Sequence, residues 1–116
     1  MHSLDRHLVI IKPKEPFLNW LKSQYEGNSA LTLDDIREDV TAFMIPQADH
    51  PEQDKEYIRS IFPDLFDMLL EEWHLDENIW PRNRDHELFK EWFEVEIHTI
   101  VIDTVESSIR KDRFLS

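Results

Sequence analysis

Residues 85–105 constrain the fold most, because their hydrophobic period changes partway along. In Asp85–Phe93 the apolar residues Leu88, Phe89, Trp92 and Phe93 fall on one face of a helix. Asp85 is placed to cap that helix with its carboxylate. After Glu94 the β-branched residues take over: Val95, Ile97, Thr99, Ile100, Val101, Ile102, Thr104 and Val105. Their stiff χ1 disfavours helix and suits a pleated surface. Apolar residues occur on both faces, with Ile100 and Ile102 on one and Val95, Ile97, Val101 and Val105 on the other. That pattern predicts a strand inside a sheet. A continued helix is the alternative, since Phe93, Ile97, Ile100, Val101 and Val105 also recur near helical spacing.

The preceding chain supplies the partners. His7–Lys12 is a short apolar run ended by Pro13 and predicts a first buried strand. Pro16 suits the first turn of a helix carrying Phe17, Trp20, Leu21 and Tyr25 on one face. Gly27, the only glycine, stands where a left-handed C-cap is wanted. Thr32 with Asp35 forms the capping pattern of a short helix. Val40–Ile45, stopped by Pro46, reads as the second strand, and its connection to the first permits a parallel pair. Asp49 and Glu52 flank Pro51 in a capping arrangement that opens the longest helix. Ile58, Ile61, Phe62, Leu65, Phe66, Leu69 and Trp73 hold its period. Pro63 lies within it and predicts a kink, because the ring removes an N–H and crowds the carbonyl of Arg59. Residues 76–84 read as a loop and residues 107–116 as a polar, frayed tail. The expectation is one α+β domain over residues 1–116, ordered β-α-α-β-α-α-β. A small three-stranded sheet with helices packed on it would bury Phe17, Trp20, Phe62, Phe66, Trp73, Phe89 and Trp92.

Charge and composition narrow the function. The formal charge is −12. Residues 49–80 carry ten acids against Lys55 and Arg59, a net of −8, while each flank is −2. Nucleic acid and anionic membranes are disfavoured as partners, and a basic protein is compatible. Solubility alone also explains an acidic surface. The absence of cysteine excludes disulfides, thiol nucleophiles and cysteine metal sites. No apolar run approaches the ~20 residues of a membrane helix. The N-terminal residues lack the form of a signal peptide, so a cytoplasmic setting is expected.

Two stretches carry a resemblance: Ile11-Lys12-Pro13 with Pro16-Phe17 and Trp20-Leu21, and Trp80-Pro81 with Arg84, Phe89, Trp92-Phe93, Val101 and Asp103. Together they resemble a family of short, acidic, uncharacterised bacterial proteins, some labelled VacJ-like, over nearly the whole chain. The resemblance implies no activity and no catalytic residue. The lipoprotein of that name needs a signal peptide and a lipidated Cys; this sequence has neither feature, and that function is not carried over.

Candidate chemistry is sparse. One glycine excludes a phosphate loop, and His86-Glu87 lacks the second histidine of a zinc-protease helix. The six histidines show no ligand spacing, and no metal or cofactor is expected. Asp49, His50 and Glu52 could hold a hard cation or simply cap the helix. In the last strand, alternation puts Glu96 and His98 on one face and Thr99 and Asp103 on the other. Asp103 is then a functional carboxylate or a paired structural acid. The most suggestive stretch is Trp80-Pro81-Arg82-Asn83-Arg84, because Arg forks bind carboxylates and stack on indoles. Its alternative is structural: Arg82 and Arg84 pair with the protein's own acids, and Trp80 plugs the core. Two functions follow. The first is a non-catalytic interaction module, with Asp67, Glu71 and Glu72 meeting a basic partner and Trp80 as apolar anchor. The second is a small-molecule binder of anions, or an enzyme, using Trp80, Arg82, Asn83 and Arg84.

Overall fold

The computed structural model describes residues 1–24 and 30–113. The N-terminus opens with a short strand, β1 (His2–Ser3), followed by β2 (Arg6–Pro13). Helix α1 (Glu15–Ser23) has Pro16 in its first turn, as expected, and buries Phe17, Leu18 and Leu21. The predicted Gly27 C-cap and Tyr25 lie outside the described residues. Helix α2 (Leu33–Ile36) starts at the anticipated capping box: Thr32 Oγ1 accepts from the N–H of Asp35, and Asp35 accepts from the N–H of Thr32. These bonds hold the Asp35 carboxyl below its ordinary pKa. Strand β3 (Ala42–Pro46) leads to helix α3 (Pro51–Trp73), and a 3-10 turn (Glu77–Ile79) leads to α4 (His86–Trp92). The chain then forms β4 (Phe93–His98) and β5 (Ile102–Asp103). Residues 104–113 are exposed, with neither helix nor strand.

The architecture is α+β, with helices on a three-stranded antiparallel sheet ordered β3-β2-β4. Two expectations change here. The first two long strands pair antiparallel, not parallel. And β2, not the C-terminal strand, is central; β4 is an edge. The sequence carries the reason: Glu94, Glu96 and His98 alternate with Phe93, Val95 and Ile97, so this stretch is apolar on one face only. β2 also buries one face, through His7, Val9, Ile11 and Pro13.

The continuous strand expected over 95–105 is broken after His98. Leu8 lies opposite His98, but Ser3 lies opposite Ile102. Stepping outward takes five residues on the N-terminal strand and four on the C-terminal one. A single extra residue on the N-terminal strand is the signature of a bulge there, and it exchanges the faces of that strand beyond it. Beyond the break the C-terminal residues pair with β1 as a separate two-stranded sheet. Asp103 instead accepts from the N–H of Val105 in a local turn. Ile100, Ile102 and Val105 are exposed.

Helix α3 keeps the predicted stripe, burying Ile58, Leu65, Phe66 and Leu69, and it runs on through Pro63 as one element. Pro63 is exposed, and the ring removes one donor without ending the helix. The helix start also differs from expectation. His50 is the cap residue, and Gln53 Oε1 accepts from the N–H groups of Asp49 (2.9 Å) and His50 (3.2 Å). Between sheet and helices, Phe17, Phe66 and Phe89 converge on Phe93, with ring centroids 5.2–5.7 Å apart. Such edge and tilted contacts add to simple burial. Trp20, Phe62 and Trp73 complete this core only in part.

Candidate functional site

The Trp80–Arg84 loop proves structural. Trp80 is 7% exposed, and its indole N–H donates to the carbonyl of His74 at 2.9 Å. The Arg84 guanidinium stacks 5.6 Å from the Trp80 ring centroid. It also donates to Asp67 Oδ1 (3.2 Å) and to the carbonyl of Pro81 (2.9 Å). Asn83 donates to Asp85 Oδ2, and Asp85 Oδ1 caps α4 through the N–H of Leu88. Arg82 is exposed. Trp80 therefore cannot anchor a partner, and the groups of Arg84 are spent inside the chain. The acids of α3 divide: Glu72 accepts from the Thr41 hydroxyl, Asp67 holds Arg84, and Asp64 and Glu71 are exposed.

The open geometry lies elsewhere. Val95 and Ile97 belong to the helix-facing side of β4, yet both stay half-buried, beside a gap lined by residues of α3 and α4. The gap is a trough of about 360 Å³. Its floor is Ile58, Phe89, Val95 and Ile97. Lys55 and Arg59 rise on the α3 side with Glu52 and Glu56; His86 and Lys90 stand on the α4 side. Lys55 pairs with Glu52 at 3.5 Å and Lys90 with Glu87 at 3.1 Å. Among the described residues Arg59 has no ion-pair partner. His86 packs against the rings of Phe62 and Phe89, and its Nδ1 is buried without a hydrogen-bond partner. Burial pushes the His86 pKa below its usual value, and the charges of Arg59 and Lys90 push the same way, against Glu87 and Asp85. The lining carries three cations (Lys55, Arg59, Lys90) against two acids (Glu52, Glu56) in a strongly acidic protein.

A second cavity, about 500 Å³, shares Lys55 and Ile97 with the trough. It is lined also by His50, Thr99 and a pair the sequence reading missed, His7 and Asp54. Asp54 is 2% exposed and His7 5% exposed, with Nδ1 of His7 2.8 Å from Asp54 Oδ1. An ionised carboxylate only accepts, so Nδ1 of His7 donates to Asp54. Asp54 stands four residues before Ile58 on the buried stripe of α3, which carries it inside. The sequence held that signal, and likewise His7 alternates with Val9 and Ile11. What it could not supply was the partner, 47 residues away. No cluster of three or more His, Asp or Glu residues suited to a metal occurs among the described residues. Glu96 and His98 do meet, at 3.0 Å, on the opposite face of the sheet. With Lys12, His98 holds the Glu96 carboxyl below its ordinary range.

No helix among the described residues is long and apolar enough to cross a membrane. Comparison with protein-family models, with curated proteins and with solved structures gives no match.

Proposed function

We propose that the protein is a non-catalytic binding module that takes an anionic ligand with an apolar body in the trough between α3, α4 and β4. The observation that carries this reading is Arg59, a guanidinium without an internal partner, above a floor of Ile58, Phe89, Val95 and Ile97. Ligand sites are mostly apolar, with a few polar groups that fix orientation. Here the apolar body displaces water from Val95 and Ile97, while the acid end meets Arg59 and Lys90. A planar guanidinium suits a carboxylate in two-point contact. The ligand-binding role expected for the Trp80–Arg84 loop moves to this trough, and the setting remains cytoplasmic.

Decanoate and decanol are suitable probes, since they share a tail and differ in charge. Titration followed by NMR should shift Phe89, Val95 and Ile97 with decanoate. Arg59→Gln should weaken decanoate about tenfold, the worth of about 1.4 kcal/mol, and leave decanol unchanged. Equal binding of the two probes, or shifts away from these residues, sinks the reading.

A second reading, a basic protein partner, is favoured by the exposure of Asp64 and Glu71 on the outer side of α3. Replacing both by Asn and Gln should lower capture of a basic peptide at low salt and leave decanoate binding intact.

A further inference from the structure

The sheet has a second face, opposite the helices, and no helix among the described residues packs on it. It is formed by Arg6, Leu8, Ile10 and Lys12 of β2, Ala42, Met44 and Pro46 of β3, and Glu94, Glu96 and His98 of β4. The register sets Leu8 between Met44 and His98, and Ile10 between Ala42 and Glu96. An open antiparallel face normally alternates to polar residues. This one keeps an apolar centre of Leu8, Ile10, Ala42 and Met44, with Met44 50% exposed. Monomeric proteins rarely leave such centres uncovered.

The border of the face identifies what covers it. Three cations and three acids stand there in pairs: Lys12 with Glu96 (3.3 Å), Arg37 with Glu94 (3.5 Å) and Arg6 with Asp5 (2.9 Å). Three positive and three negative charges sum to zero, in a chain of net charge −12. A strongly acidic partner is no better suited here than a strongly basic one. A copy of the same chain, however, has to approach through a surface where like charges do not meet.

We propose that this open face is a homodimer interface, with two sheets packed face to face around Leu8, Ile10 and Met44. It is independent of the trough, which lies on the other side of the sheet. Because the contact is apolar and the two bodies repel, salt screens the repulsion and tightens the dimer.

Sedimentation equilibrium of the full chain tests this, with a dissociation constant expected between about 10 µM and about 1 mM for an interface of modest size. Raising salt from about 0.05 M to about 0.5 M should lower that constant. Met44→Glu, at an exposed position, should raise it at least about tenfold. Concentration-dependent NMR shifts of the unmodified chain give a second measure that does not depend on any variant folding. They should be confined to residues 6–12, 42–46 and 94–98. A chain that stays monomeric at about 1 mM, a dimer indifferent to Met44→Glu, or shifts mapping to the helices would each overturn the proposal.

Discussion

Replacing Asp54 by Ala tests the buried pair most directly. The carboxylate is 2% exposed and holds the His7 Nδ1–H at 2.8 Å. Removing it leaves that N–H without its partner in the interior. Breaking a buried charged pair by deleting one partner costs about 3–5 kcal/mol. A domain of this size has a total stability of about 5–15 kcal/mol, so the loss is a large fraction. Asp54→Asn keeps an oxygen acceptor and should cost less, about 1–3 kcal/mol for trading a charged acceptor for a neutral one. The double variant His7→Phe with Asp54→Leu fills similar volume without polar groups and should lie close to wild type or above it. Urea unfolding followed by tryptophan fluorescence reads all three. With a slope of about 2 kcal/mol per molar urea, Asp54→Ala should move the midpoint down by about 2 M. A midpoint within about 0.3 M of wild type would mean that water reaches the pair through the adjoining cavity, and that it is not an interior ion pair.

Three further outcomes follow from the geometry. Trp80→Ala should lose about 3–5 kcal/mol of stability, as a buried aromatic does, and urea midpoints check it; a variant as stable as wild type would restore the exposed-anchor role. Pro63→Ala returns a donor to an uninterrupted helix and should gain on the order of 1 kcal/mol or be neutral; a clear loss in thermal melts would show that the ring packs usefully. For His86 the folded pKa is lowered, so the unfolded chain binds the proton more readily. Its contribution is then fully present above the ordinary histidine value near about 6.5 and is lost as pH falls from there through the folded value. His86→Gln should flatten this slope in pH-dependent unfolding, and an unchanged slope assigns it to other groups.

Much of the fold was legible because its causes are local. The caps at Thr32 and Asp85, the first-turn Pro16 and the stripe from Ile58 to Leu69 depend on residues within a few positions of each other. Alternation of Phe93, Val95 and Ile97 with Glu94, Glu96 and His98 likewise declares a strand with one buried face. At Trp80 and Arg84 the structural alternative named from the sequence holds, with Trp80 buried and Arg84 paired to an acid of the chain. Which groups answer them was not legible, because a loop of arginines and an indole does not name its distant partners. The structure folds Arg84 onto Asp67, 17 residues back, and the indole onto the His74 carbonyl.

The sequence by itself determined most of the elements, their polarity and the acidic charge. Tertiary structure decided the rest. It made β2 central, shifted the register by one residue beyond Leu8 and His98, and left Val95 and Ile97 uncovered between α3 and α4. It also brought His7 to Asp54. The physical reason is range. Propensity, capping and periodicity act over one or two turns, whereas register and burial are settled by which distant surfaces meet, and a single-residue slip there reassigns every side chain beyond it.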